Sequence, residues 1–267
     1  MNHTLFIGGG NMAFAIIGGL LSQGEDATQF RVIDPSPEAS RKLNALGIEC
    51  GADWPENFAP EVVVLAVKPQ MMKDVLQAHG ASLGDSLIIS IAAGVSVAQI
   101  RQWSGQVDAK VVRCMPNTPA LVGEGVSGLY FTANCDGEDR EEATAIFESC
   151  GKVVVVDEES SINAITAISG SGPGYVFYLM EALAEGARAL GFDEAKANLL
   201  VSQTFLGAAT LAAQSSDSFA TLREKVTSKG GTTFAGLEAM RAHAVSLGIV
   251  EGAKAAMARA EELQKGA

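Results

Sequence analysis

The 267-residue chain is short of charge, and the charge it has leans to one sign. Only 19% of its residues are Asp, Glu, Lys or Arg, and 31 acidic side chains stand against 19 basic ones, a net charge of −12. Such a surface repels phosphate backbones and anionic lipid, which argues against nucleic acid or a membrane as partner. Cysteine and histidine are scarce too. Cys50, Cys114, Cys135 and Cys150 show neither a CxxC pair nor zinc-ligand spacing, and His3, His79 and His243 stand singly. No metal site can be assembled from them, and isolated thiols suit a reducing, cytoplasmic setting. Residues 4–24 carry no charge, yet Gly8, Gly9, Gly10, Asn11, Gly18 and Gly19 interrupt them and no basic segment precedes them. They read as a strand, a glycine turn and a buried helix rather than as a signal peptide or membrane span.

What the chain has in quantity is apolar surface, 48% of its residues, arranged in two patterns. The N-terminal half alternates short β-branched runs with helical periodicity, the pattern of a parallel sheet flanked by helices. Strands are expected at residues 5–7, 30–33, 62–67, 87–91 and 110–114, with helices at 11–23 and near 37–46. The run from Val62 to Val67 is apolar on both faces, as a central parallel strand requires. Later strands at 125–131 and 152–156 are expected near the edge of the sheet. After Asp157 strand signals vanish, and alanine-rich helical periodicity runs to the C-terminus. The expectation is an α/β chain in two parts, a Rossmann-type parallel-sheet domain over 1–157 and an all-helical domain over 158–267.

Within the helical part, residues 160–180 and 197–216 contain no charged side chain. A helix apolar on every side has to be buried on every side, which one small helical layer cannot achieve. Burial between subunits solves the problem, so a homo-oligomer joined through this half is expected.

Gly8-Gly9-Gly10-Asn11-Met12-Ala13 fits G-x-G-x-x-G/A, and it lies where an apolar strand ends and a helix begins. Gly8 permits the tight turn, Gly10 lets the backbone approach a pyrophosphate, and the helix start supplies N–H groups to the phosphates. Asn11 and Met12 open that helix. Asp34, at the end of the second strand, is placed to accept from ribose hydroxyls, as in NAD-binding folds. Ser36, Arg31 and Arg41 lie close enough in sequence to hold a 2′-phosphate instead, so NAD and NADP both stay open.

Further chemistry lies in four segments. Ala66-Val67-Lys68-Pro69-Gln70 and Arg113-Cys114-Met115-Pro116-Asn117-Thr118-Pro119 each follow a strand, which puts them at the carboxyl edge of the sheet. In the helical half, Ser169-Gly170-Ser171-Gly172-Pro173-Gly174 opens one helix, and Val226-Thr227-Ser228-Lys229-Gly230-Gly231-Thr232-Thr233 opens another. Paired glycines followed by threonines at a helix start present free N–H groups suited to a carboxylate, although ordinary capping uses the same residues.

Taken together these motifs resemble the pyrroline-5-carboxylate reductase family over nearly the whole chain. The resemblance implies a Rossmann domain followed by a helical domain that dimerises by interlocking, often within a ring of dimers. It implies reduction of the C=N bond of 1-pyrroline-5-carboxylate to L-proline by NADPH or NADH, with NADPH slightly favoured. By the same resemblance Ser228, Lys229, Gly230, Gly231, Thr232 and Thr233 form the loop that holds the substrate carboxylate, and Thr233 hydrogen-bonds the ring nitrogen as the catalytic residue. Ala66, Val67, Lys68, Pro69, Ala92 and Ala93 correspond to the lining of the nicotinamide end of the cofactor, with Met115, Pro116 and Asn117 close by. Lys229 departs from the family's usual proline, and Gly174 from its frequent alanine.

The chemistry agrees with the residues. A protonated cyclic imine is electrophilic enough to take hydride without a strong protein acid, and no His/Asp or Lys/Asp constellation is evident here. Two alternatives are a related hydroxyacid dehydrogenase and a non-catalytic dinucleotide sensor. The first calls for a lysine in the helix after the sheet domain, and residues 160–181 contain none. The second predicts a damaged substrate loop, whereas Gly230, Gly231 and Thr233 are all present.

Overall fold

A computed structural model describes residues 2–266. Strand β1 (Thr4–Ile7) leads into helix α1 (Asn11–Ser22), β2 (Phe30–Ile33), α2 (Pro37–Asn44) and the short β3 (Glu49–Gly51). Next come β4 (Val62–Leu65), α3 (Met72–His79), β5 (Leu87–Ser90), α4 (Val97–Ser104) and β6 (Val111–Met115). The sheet is completed by β7 (Gly125–Phe131) and β8 (Gly151–Val156), with α5 (Gly137–Glu148) between them. Helices follow: α6 (Ser161–Ile165), α7 (Gly172–Ala189), α8 (Glu194–Ala213), α9 (Phe219–Lys225), α10 (Thr232–Ala242) and α11 (Val245–Gly266).

The eight strands make one sheet in the order β3-β2-β1-β4-β5-β6-β7-β8. All neighbours are parallel except β6 and β7. Only the short segment 116–124 joins that pair, too little chain for a parallel crossover. Strand order reverses between β1 and β4, and a ligand crevice opens beyond the carboxyl ends of the strands at such a reversal. The register makes this edge level. Ile7 stands opposite Ile33 and Leu65, Leu65 opposite Ser90, and Ser90 opposite Arg113. The turns after β1, β2, β4 and β5 therefore open side by side.

Side-chain alternation gives the sheet two buried faces. Phe6, Val32, Val64, Ile89 and Val112 pack with Ile16, Leu20 of α1 and Ile146, Phe147 of α5. Leu5, Ile7, Val63, Leu65, Ile88 and Val111 pack on the other side with Met72 and Leu76 of α3 and Ile100 of α4. Three strands are shorter or shifted relative to expectation. β4 stops at Leu65 although the apolar run reaches Val67, because the chain turns where the Ala66 carbonyl lies against Gly8. β5 ends at Ser90 and β6 runs from Val111 to Met115.

By packing, the chain divides into two units. One contains the residues up to Ser171 together with those from Ala255 onward, and the other is Gly172–Lys254. Element type changes after β8 at Val156, whereas α6 and the last turns of α11 pack with the sheet. Asn163 Nδ2 donates to Gln264 Oε1 (2.9 Å), and a Cβ on Gly94 would meet that of Leu263 at 3.1 Å. The Gly172–Lys254 unit leaves much apolar surface bare. Phe177, Tyr178, Leu199, Leu206, Leu211 and Phe219 are all exposed, and α8 buries only Ala197 and Val201. No described helix is long and apolar enough to cross a membrane.

Candidate active site

The turn after β1 is built for close approach. Gly8 has φ +104, and a Cβ there would stand 2.6 Å from the Ala66 carbonyl oxygen. No side chain fits in that conformation and that space. Gly9 is hemmed in by Leu43, Ala39 and Asp34, while a Cβ on Gly10 would meet nothing within 4 Å. Gly10 is the N-cap of α1 and supplies no side-chain cap, and no acidic residue lies in the first turn. The first helical bond is Phe14 N to Gly10 O (3.0 Å), so the N–H groups of Asn11, Met12 and Ala13 have no partner within the helix. Open space above three free donors at a positive helix end fits a pyrophosphate.

Asp34 closes this turn from the side. Its Oδ2 accepts from Gly9 N (2.7 Å) and its Oδ1 from Ser36 N (2.8 Å). Ser36 in turn caps α2 through Oγ, which accepts from Ala39 N. Of the nearby cations, Arg31 is committed elsewhere: it pairs with Glu49 (3.0 Å), donates to the Thr28 and Phe30 carbonyls and lies over Phe58. Arg41 Nε donates to the Pro37 carbonyl, which holds its base beside the start of α2.

The level edge brings the next segments alongside. Ala66 N donates to Ile7 O (2.8 Å) and Ile91 N to Leu65 O (3.2 Å), so the turns after β1, β4 and β5 are stitched to one another. Ala66, Val67 and Pro69 are half-buried, Lys68 is exposed, Ala92 is buried and Ala93 half-buried. Met115 ends β6, and Pro116 and Asn117 after it are buried. The Asn117 carboxamide is engaged on both sides: Oδ1 accepts from Val126 N (2.9 Å) and Nδ2 donates to Ser169 O (3.0 Å). Residues Thr166–Gly170 form a π-helical turn, the kind of irregularity that gathers at functional sites. Its last residue, Gly170, lacks the Cβ that would strike Met115 Cε at 2.7 Å.

The loop 228–233 belongs to the other unit. Gly231 N donates back to Ser228 O (3.0 Å), and Gly230 at the third place of this turn has φ +72. A Cβ on Gly231 would run into Ser228 Oγ. Gly231 is the N-cap of α10, without a side-chain cap and with no acid in the first turn. The first helical bond is Ala235 N to Gly231 O (3.1 Å), which leaves Thr232, Thr233 and Phe234 as free backbone donors within the helix. Ser228, Lys229, Thr232 and Thr233 are exposed, and no ion pair engages Lys229 among the described residues.

Burial pushes the Cys114 and Cys150 thiols up, so both stay protonated and unreactive at neutral pH. All four cysteines are free, and no group of His, Cys, Asp and Glu suited to a metal ion occurs among the described residues. One arrangement escapes sequence reading: the buried Arg113 Nη1 pairs with Glu159 Oε1 at 3.2 Å, across 46 residues. The visible signal was a lone charge inside the apolar run of β6; nothing in the sequence names its partner.

A doubly wound sheet with a glycine turn under an open helix start defines the class. This is an oxidoreductase of the dinucleotide-binding kind. Comparison with known proteins narrows it. Residues 159–263 match the family described as pyrroline-5-carboxylate reductase dimerisation, and residues 4–94 match NADP oxidoreductase, coenzyme F420-dependent. The pyrroline-5-carboxylate reductase of Pseudomonas aeruginosa is 43% identical, covering 97% of this chain and 95% of that protein. The solved pyrroline-5-carboxylate reductase of Coxiella burnetii superposes with a TM-score of 0.92 at 37% identity, covering 98% of each chain. The pyrroline carboxylate reductase of Plasmodium falciparum, solved with NADP bound, gives 0.87 at 27% identity and the same coverage. The chain belongs to the pyrroline-5-carboxylate reductase family.

Proposed function

We propose that this chain transfers hydride from NADPH, or less readily NADH, to the C=N bond of 1-pyrroline-5-carboxylate and so forms L-proline. The observation that carries the reading is the pair of open helix starts, at Gly10 and Gly231, in a chain of this family. Gly8, Gly10, Asn11 and Met12 hold the pyrophosphate, and Ser36 with the start of α2 and Arg41 receives the 2′-phosphate. Asp34, both of whose oxygens are tied to backbone N–H groups, shapes the turn. Residues 66–69, 92–93 and 115–117 line the nicotinamide end. The reduced nicotinamide, when bound, supplies the hydride.

The remaining chemistry falls to loop 228–233. Its backbone N–H groups and the N-terminus of α10 hold the carboxylate, and the Thr233 hydroxyl oxygen accepts from the protonated ring nitrogen. The imine nitrogen takes one proton and the ring carbon one hydride, which leaves a secondary amine and the oxidised dinucleotide. No residue has to act as a strong acid, because protonation already makes the carbon electrophilic; the loop contributes by fixing the ring.

The functional division is placed at 157/158, with dinucleotide binding before it and substrate binding and dimerisation after it. The bare apolar side chains of α7 to α10 are the surface of a homodimer, which assembles further as a ring of dimers. Four free thiols accord with a cytoplasmic enzyme. The test is loss of absorbance at 340 nm on mixing the protein with the imine and NADPH, then NADH. Oxidation that requires the imine is the expected result; binding of both cofactors without oxidation would sink the proposal. Light scattering reads the assembly.

A further inference from the structure

Arg113 is a charge where none is easily afforded. It sits on β6 among Val111, Val112 and Cys114, all buried, and its side chain is only 2% exposed. A guanidinium in such a place needs a partner, and Glu159, just before α6, provides one at 3.2 Å. The same carboxylate oxygen accepts from Val97 N at 2.9 Å, and Val97 is the first residue of α4. That helix already has a complete capping box: Gln99 N donates to Ser96 Oγ, and Ser96 N to Gln99 Oε1. That box leaves Val97 N without a partner in its own helix, and Glu159 supplies one, an anion at a positive helix start.

The same bond ties down the far end of the loop before α4. Only residues 91–95 separate the end of β5 from the cap Ser96, and Ala92 and Ala93 lie among them. On one side the loop is pinned by Ile91 N to Leu65 O and by Ala92 N to Ser90 Oγ (3.4 Å). Behind it Gly94, with φ +75, packs on Leu263. On the far side the pin is Glu159, held in turn by Arg113, whose Cα stands opposite Ser90. Asp34 and Ser36 follow β2, so the adenosine half of a dinucleotide spanning the strand-order reversal lies toward that side and its nicotinamide half toward β5 and β6.

We propose that Arg113 and Glu159 form a positioning pair that sets the Ala92–Ala93 loop against the nicotinamide ring. The inference rests on the reading that this loop lines the ring. An ion pair with only its arginine buried adds little stability over an apolar plug of the same size; what it adds here is fixed geometry at the place where hydride leaves.

The experiment measures kcat and KM for the imine with NADPH, and binding of NADPH and of 2′-phospho-ADP-ribose, which lacks the nicotinamide. Glu159→Ala should lower kcat roughly tenfold to a hundredfold, the effect of misplacing reacting atoms by about an ångström. Its affinity for 2′-phospho-ADP-ribose should stay within about twofold of wild type, because the adenosine half binds elsewhere. Glu159→Gln, which still accepts from Val97, should recover part of kcat. Glu159 is partly exposed, so these variants should fold; Arg113→Met is the riskier partner, and combined with Glu159→Ala it should add little further loss in kcat. Unchanged kcat in Glu159→Ala, or equal weakening of both ligands with a normal kcat, overturns the proposal and leaves the pair a merely structural one. Ala93→Leu separates the two layers. If it turns over normally, the loop does not line the nicotinamide and the underlying reading fails; if it is impaired while Glu159→Ala is not, only the pair is refuted.

Discussion

Helices α1 and α10 begin in the same unusual way, and the rest of the chain shows how unusual it is. Each has glycine at its N-cap in extended conformation (Gly10 with φ −71, ψ −176; Gly231 with φ −78, ψ 177), no side-chain cap, and no acid in the first turn. By contrast α2, α4, α5, α8 and α9 are capped by Ser36, Ser96, Asp136, Asp193 and Ser218, each accepting from the backbone of its own helix. α3 and α6 also lack a side-chain cap, but neither begins on glycine: α3 follows Met71 and carries Asp74 in its first turn, and α6 follows Ser160. The two open starts differ in their support. The turn before α1 is wedged between Ala66, Leu43 and Asp34, whereas loop 228–233 is exposed and held mainly by its own turn.

That difference can be broken one residue at a time. The largest effect should come from Gly8→Ala, which combines a left-handed φ with a backbone clash. Strain and overpacking together should destabilise the fold by about 2–4 kcal/mol, read as a lower urea midpoint at unchanged slope. Gly10→Val two residues on should do the opposite, because its Cβ has open space and an ordinary φ. Its melting temperature should stay close to wild type while NADPH affinity falls roughly a hundredfold, since the branched side chain would fill the space proposed for the pyrophosphate. Normal cofactor titration by that variant would refute the placement of the pyrophosphate.

These positions also show how much of the fold is legible in the sequence. The strand, glycine turn and helix at residues 4–22 announce themselves because each is a local pattern, and β2 and β7 fall where the apolar runs put them. β3 was missed because Glu49-Cys50-Gly51 is three residues with no apolar run; its pairing with β2 makes it a strand. The π turn at Thr166–Gly170 was hidden inside nearly unbroken helical periodicity. Long-range partners were invisible for a simple reason. Nothing local to Arg113 points 46 residues ahead to Glu159, and nothing in the last turns of α11 says that Leu263 packs on Gly94. Sequence told which atoms of Asn117 exist, while the structure tells that both ends of its amide are engaged with Val126 and Ser169.

At the second open start, Thr233→Ala should lower kcat/KM for the imine about tenfold to a hundredfold, the worth of a hydrogen bond to a charged group. NADPH affinity should be unaffected, because the proposed phosphate site is the other helix start. Equal kcat/KM in the variant and wild type would remove Thr233 from the reaction.

The smallest effect is the most informative about how the exposed loop is held. Ser228 to Gly231 is a turn with the hydrogen bond closed from Gly231 N to Ser228 O and a positive φ only at its third residue, Gly230. That is a type II turn, and Lys229 occupies its second position, where proline's fixed φ is preferred and the N–H is not needed inside the turn. Lys229→Pro should therefore be accepted without strain. By removing freedom from the unbound loop it should contribute about 0.4–1 kcal/mol, seen as a two- to fivefold lower KM for the imine at unchanged kcat and NADPH affinity. If instead the Lys229 ammonium draws in the substrate carboxylate, the same variant will have a higher KM, and the wild-type KM alone will rise steeply with added salt. The sign of one KM change thus decides whether this loop depends on stiffness, as the wedged turn before α1 does, or on charge.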